Sequence, residues 1–257
     1  MKKLVLFFSI IFLLSAVGCA PAEPRTVEIL EPVDAGIAAA AELDHAGEQR
    51  RSPYYASPDY FKGNVSKTLH LLEKFKTYQQ TSERSCGAVC AVMVLSWFGE
   101  TVSEDDLDKE MDIRYYDNPH EDGSYGASTQ ELAQAFIDRG YDVVSSADTQ
   151  DADGMSFPDE ESFSAFLVQQ LDSGTPIITE NVEWGGHWMV IIGYDTMGTE
   201  LYNDDVLVFA DPYDTTDHMQ DGYLTASFER FYYTWFDHSV MKESERVQQY
   251  VTVSRPS

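Results

Sequence analysis

The sequence predicts an α+β fold, with a helical first part that carries a cysteine and an antiparallel β-sheet second part that carries a histidine and an aspartate. Three observations lead there. An almost wholly apolar stretch, Ala88 to Phe98 (AVCAVMVLSWF), is followed by two capped amphipathic segments. A strand-rich half follows, built of short β-branched and aromatic runs. Helices and then strands, in blocks rather than alternating, are the pattern of a segregated fold.

The apolar stretch ends at Gly99, as a buried helix with a C-terminal glycine does. Ser103 opens SEDDLDKEM, with Asp106 at the third position of a capping box. Ser128 and Glu131 repeat that device before LAQAFIDRG, where Leu132, Phe136 and Ile137 are expected to share a face. Asp159 to Leu171 is another amphipathic helix, stopped at Ser173-Gly174. Strands are expected at Pro176–Glu180, His187–Tyr194, Val206–Ala210 and Gln249–Val253. The polar run between the second and third (DTMGTELYNDD) reads as an insertion or as the tip of a long hairpin. Phe228 to Phe236 (FERFYYTWF) is expected as one late aromatic helix that serves the core.

Ahead of this domain lies a different kind of sequence. Lys2 and Lys3 precede an apolar run, Leu4 to Gly18, which is too short and wrongly flanked for a good membrane span. Ala16-Val17-Gly18-Cys19 resembles the lipobox of bacterial lipoproteins, in which the cysteine is lipidated and becomes the new N-terminus. The expected organisation is a signal peptide over 1–18, a lipidated Cys19 with a flexible tether over 19–65, and a folded domain over 66–257. The tether is rich in Ala, Pro, Glu and Ser, without a sustained period. This predicts an extracytoplasmic protein, anchored in the lipid bilayer by its N-terminal acyl group. Ala20 after Cys19 suits an outer membrane where the host has one.

The chain of 257 residues has a formal net charge of −27. A charge that negative argues against nucleic acid as a partner. Beyond Cys19 only Cys86 and Cys90 remain. One helical turn apart, they are poorly placed for a disulfide, so the core must hold the fold. A domain of about 190 residues buries roughly 70% of its unfolded surface, which suffices.

An unpaired thiol in an exported chain raises the question of its use. A cysteine nucleophile wants a helix N-terminus and a neighbouring imidazole. Cys86 lies immediately before the apolar helix, where unpaired N–H groups and the dipole favour an anion. Cys90 falls inside the apolar stretch and reads as a small hydrophobe. His187 opens a strand after Gly185-Gly186, which leaves the imidazole accessible, although a lone histidine there is more often structural. Asp211 closes the next strand before Pro212; beside His187 it could fix the imidazole tautomer, while alone it is a turn signal. Gln80 could donate to an oxyanion, with Gln79 as the competing candidate.

Taken together these segments resemble a family. Gln80…Ser85-Cys86-Gly87 before an apolar helix, Gly186-His187-Trp188 leading into MVIIGYD, and VLVFADP are similar to the bacteriocin-processing, double-glycine-leader cysteine peptidases of the papain-like clan. GASTQELAQAFIDRGYDV and GTPIITE belong to the same likeness, which spans most of residues 78–215. The resemblance implies a papain-like fold with Cys86 as nucleophile, His187 as base, Asp211 as orienting acid and Gln80 in the oxyanion hole. It implies an extracytoplasmic thiol hydrolase acting on a peptide or protein substrate, with no cofactor. A papain-like acyltransferase and a non-catalytic surface peptide-binding lipoprotein are the alternatives.

Other motifs are weaker. Thr149 to Glu160 (TQDADGMSFPDE) approaches calcium-loop spacing but lacks the first Asp, and an acidic surface loop is the better reading. His45, His70, His120, His218 and His238 show no ligand spacing, so no metal site is expected.

Overall fold

The computed structural model describes residues 59–63, 67–152, 154–215 and 221–256. The expected signal segment, Cys19 and nearly all of the tether, together with His45 and His218, lie outside the described residues. The chain touches the domain ahead of residue 66: Lys74 N donates to Phe61 O at 3.2 Å, and the Tyr60 ring meets Tyr223 at 5.8 Å.

The helices form where the caps and apolar spacing place them. Helix α1 (Cys86–Trp97) is apolar all round and almost entirely buried, so it belongs inside the molecule rather than on its surface. Helix α2 (Glu104–Glu110) starts at Ser103, whose hydroxyl accepts from Asp106 N at 3.1 Å. In α3 (Thr129–Ile137) the Ser128–Glu131 capping box is complete in both directions, at 3.2 and 2.9 Å. Leu132 and Phe136 are buried, but Ile137 is 49% exposed and does not share their face. One residue past Phe136, it points about 100° further round the helix.

After strand β2 (Asp142–Ser145) comes a single helical turn, α4 (Ser146–Thr149), and then α5 (Glu160–Asp172), capped by Asp159. The last helix, α6 (Phe228–Thr234), is shorter than the aromatic run. Phe228, Phe231 and Trp235 enter the core, while Tyr233 is 66% exposed, so the stripe is divided between core and surface.

Seven strands make one antiparallel sheet. β3 (Ile177–Asn181), β4 (His187–Asp195), β5 (Val206–Ala210) and β7 (Tyr250–Ser254) match the expected strands to within a residue. The order is β2-β7-β3-β4-β5-β6, with β6 at Tyr223–Ser227, and β1 (Leu69–Leu71) pairs with β4. β1, β2 and β6 are short or expose part of their length, so the sequence carries little apolar signal for them. The polar run after β4 is the tip of a hairpin, since Asp195 pairs with Val206.

Two features of this arrangement place the functional side chains. Helix α1 packs against β4, the buried central strand. Val190 pairs with Ala210, which puts Asp211 opposite Met189, two residues from His187. Side chains two apart on a strand share a face, so His187 and Asp211 point the same way.

Candidate active site

The cysteine stands at the tip of α1. Cys86 is the first residue of the helix, with Ser85 as N-cap, rather than the residue before it. Its backbone N–H therefore has no partner within the helix and remains available to an incoming oxygen. The loop leading to it is clamped by Glu104, which accepts from Thr81 N at 3.0 Å and from the Ser85 hydroxyl. Gly87 is required next: a Cβ there would stand 2.6 Å from Ala127 Cβ, and Ala127 O accepts from Trp188 Nε1 at 2.9 Å.

The histidine is presented by a strained turn. Trp184 takes a positive φ of 51°, rare for a bulky residue, and its ring stands edge-on to His187 with centroids 5.1 Å apart. His187 Nε2 donates to Asp211 Oδ1 at 2.7 Å, and the same oxygen accepts from Tyr213 N at 2.8 Å. With Nε2 engaged by Asp211, Nδ1 is the ring nitrogen that remains, and the Cys86 thiol lines the same cleft and helps to raise the imidazole. Burial by itself would push the imidazole down. The Asp211 charge, the hydrogen bond to it and the Cys86 contact outweigh that, and hold His187 up at about 10.

Cys90 has none of these partners. It is fully buried, and desolvation pushes its thiol well above the ordinary range, with the nearby Cys86 and Asp211 charges adding to the shift.

The two glutamines separate. Gln79 spans the loop after β5, donating to Asp211 O at 3.0 Å and accepting from Asp214 N at 3.1 Å. Gln80 lines the same cleft as Cys86 and His187. It is 2% exposed, its Nε2 donates to Ser82 O at 2.8 Å, and its backbone N–H donates to Pro212 O at 2.8 Å. The second Nε2 hydrogen has no partner among the described residues. Sequence left both glutamines open; the fold spends one on the Asp211 loop and places the other in the cleft that Cys86 lines.

Sequence reasoning passed over an acid pair behind the site. Glu180 on β3 and Asp237 are both buried, and their carboxyl groups meet beneath Gly186. A Cβ on Gly186 would fall 2.0 Å from Asp237 Oδ2 and 2.9 Å from Glu180 Oε1. Neither Glu180 oxygen finds an N–H donor, whereas Asp237 accepts from Met241 N at 2.9 Å and Val240 N at 3.1 Å, with Arg246 Nε at 3.5 Å. Two carboxylates in contact repel unless one keeps its proton. The donors and Arg246 favour the charge on Asp237, so Glu180 is the protonated partner. Burial, then the Asp237 and Cys86 charges, push Glu180 well above the carboxylate range. Glu180 lies 57 positions from Asp237 in an ordinary strand sequence, so no local signal marked it.

Cys86, His187 and Gln80 line a cleft of about 280 Å³, whose walls also include Trp184, Tyr213, Arg84, Tyr125 and Val240. Larger hollows, among them two of about 490 and 580 Å³, are lined by no cysteine. The chemistry selects the smaller one. A thiol, an imidazole oriented by a buried carboxylate, a free helix N–H and a side-chain amide are the parts needed for acyl transfer through a thioester.

Comparison with known proteins identifies a family. The model of the Peptidase_C39 like family matches residues 72–239. Among solved structures, the chain is similar to the peptidase domain of Streptococcus ComA, a bi-functional ABC transporter involved in a quorum sensing pathway. That likeness has 16% identity and a TM-score of 0.45, over 71% of this chain and 99% of the other. It is also similar to a double glycine motif protease from an AMS/PCAT transporter, solved with the leader peptide. There identity is 14% and the TM-score 0.41, over 70% of this chain and 91% of the other. No curated protein matches the chain.

Proposed function

The chain belongs to the Peptidase_C39 like family, and from that premise we propose that it is a thiol hydrolase cutting a peptide or amide bond, with Cys86, His187, Asp211 and Gln80 as its working residues. The observation that carries this reading is the position of His187, with Asp211 at 2.7 Å on Nε2 and Cys86 lining the same cleft.

The Cys86 sulfur attacks the scissile carbonyl carbon, and the carbonyl electron pair moves to oxygen. That oxyanion lies between the Cys86 backbone N–H and the Gln80 amide. The proton held by His187 passes to the leaving amine, which departs and leaves a thioester on Cys86. Water, deprotonated by His187, then attacks the thioester and returns the free thiol. Asp211 keeps the ring oriented and its positive charge favourable at each stage. Cys86 and His187 share one cleft, with Cys86 among the groups that raise the imidazole, which supports turnover over a purely binding role.

The domain works outside the cytoplasm in this reading, held to a bacterial membrane through Cys19, on the strength of the lipobox-like Ala16–Cys19. The test is a peptide-library digest with the full chain and its Cys86→Ala variant. Cleavage products that appear only with Cys86 support the proposal; products unaffected by the substitution, or none from any peptide, refute it. Added amine acceptors distinguish hydrolysis from acyl transfer by product mass.

A further inference from the structure

Among the described residues, a cation in the cleft has no carboxylate partner. Arg84 stands two residues before Cys86 and lines the cleft with it. Its guanidinium carbon lies 4.3 Å from the centroid of Tyr116, 5.3 Å from Tyr115 and 5.6 Å from Tyr125. Its Nη1 is shut off from solvent without an acceptor, and among the described residues the guanidinium has neither a hydrogen bond nor a carboxylate within reach.

Three other arginines pair with a carboxylate, whereas among the described residues Arg230 has no such partner and Arg255 lies over Phe98 and donates to Phe98 O. Arg114 pairs with Asp112 at 2.7 Å, Arg139 with Glu110 at 2.5 Å, and Arg246 with Asp237 at 3.5 Å. With 44 acidic residues against 17 basic ones, an arginine without a carboxylate is not for want of candidates. The neighbouring Glu83 is itself engaged by the Tyr213 hydroxyl across the cleft.

Aromatic faces steady the charge of a guanidinium but offer no strong acceptor to its in-plane N–H groups. A ring cage therefore holds Arg84 in place with Nη1 buried, and leaves the fork of Nε and Nη2 for a ligand. A planar fork of that kind matches a carboxylate in bidentate fashion.

We infer that Arg84 is a specificity-determining residue, and that the cleft takes a substrate bearing a carboxylate close to the bond at Cys86. The inference rests on the reading of Cys86 and His187 as the reacting pair. The carboxylate is either an acidic side chain or the free C-terminus of a peptide. Tyr115, Tyr116 and Tyr125 hold the guanidinium, and substrate supplies the acceptor that the chain does not.

Binding to the full chain carrying Cys86→Ala tests this without turnover. The probes are fluorescent peptides of Gln-rich sequence with both ends capped, the same peptides with Glu scanned through each position, and a Gln peptide with a free C-terminal carboxylate. At one position Glu, or else the free terminus, is expected to bind about tenfold tighter than its neutral counterpart. Arg84→Gln reduces that gap to less than about twofold, and Arg84→Lys, which keeps charge but not the fork, retains part of it. Circular dichroism shows that each variant folds. No gain from either kind of carboxylate, a gain that Arg84→Gln leaves intact, or no binding by any probe overturns the inference. Digestion by the chain with Cys86 intact is scored separately. Discrimination without cleavage keeps the carboxylate site and defeats the hydrolase reading; cleavage without discrimination does the reverse.

Discussion

His187 Nε2 lies 2.7 Å from Asp211 Oδ1, and the two side chains are shut from solvent at 4% and 0% exposure. In so dry a setting the Asp211 charge keeps the ring protonated against desolvation. Asp211→Asn removes that charge and is expected to lower the His187 titration midpoint from about 10 by about 1–3 units. The imidazole resonances followed by NMR give the answer, and an unmoved midpoint contradicts the assignment. The sign for stability follows. A raised histidine value contributes stability that is complete below about 6.5 and is lost as pH climbs toward about 10.

The thiols of Cys86 and Cys90 differ in exposure and in company. Iodoacetamide at neutral pH is expected to label Cys86 at least about tenfold faster than Cys90, whose thiol burial pushes well up. Mass spectrometry of the labelled peptides reads the ratio. Equal, slow labelling of both in the folded chain means that Cys86 is not activated.

Gln80 and Gln79 are adjacent, yet their substitution should show opposite signatures. Gln80→Ala is expected to lower kcat about a hundredfold to a thousandfold with little change in unfolding, as loss of an oxyanion donor does. Gln79→Ala removes the hydrogen bonds to Asp211 O and from Asp214 N and costs about 1–3 kcal/mol in urea denaturation. The reverse pattern assigns the oxyanion to the wrong glutamine.

Glu180 holds a proton in the folded chain that an unfolded chain releases above its ordinary value of about 4.3. Stability therefore falls as pH rises above that value and through the raised one, by at most about 1.4 kcal/mol per pH unit. The charged groups that face it are Asp237, Cys86 and Glu245, with Arg246 beside Asp237. Glu180→Gln cannot ionise, so its stability should vary less between pH 5 and pH 8 than that of the unsubstituted chain. Parallel curves from urea unfolding across that range count against a protonated Glu180.

Gly186 is the contact point between that acid pair and the histidine strand. Gly186→Ala puts a methyl 2.0 Å from Asp237 Oδ2, which must move and take the backbone contacts of Val240 and Met241 with it. A loss of about 1–3 kcal/mol is expected, with activity falling more than the fraction folded. Gly99→Ala, where an added Cβ has open space, is the comparison for a positive-φ glycine away from the cleft.

Much of the fold could be read from the chain because its signals are local. Ser103, Ser128 and Asp159 cap helices through atoms three residues away, and β3, β4, β5 and β7 are apolar enough to stand out. β1, β2 and β6 were not legible, because short strands depend on their partners rather than on their own composition. Ile137 and Tyr233 look like core residues in sequence, and only the packing shows that they face outward.

For the site, the sequence by itself determined the type of chemistry: one cysteine at a helix start, a histidine opening a strand and an aspartate closing the next. Those features belong to element ends, and the chain announces its element ends with glycine, proline and capping residues. Tertiary structure alone decided which glutamine lines the cleft with Cys86, that Glu180 and Asp237 are buried together beneath Gly186, and that Arg84 has no carboxylate partner among the described residues. Each of these depends on burial and on neighbours distant in sequence. Desolvation acts on a charged group only after the fold has removed its water.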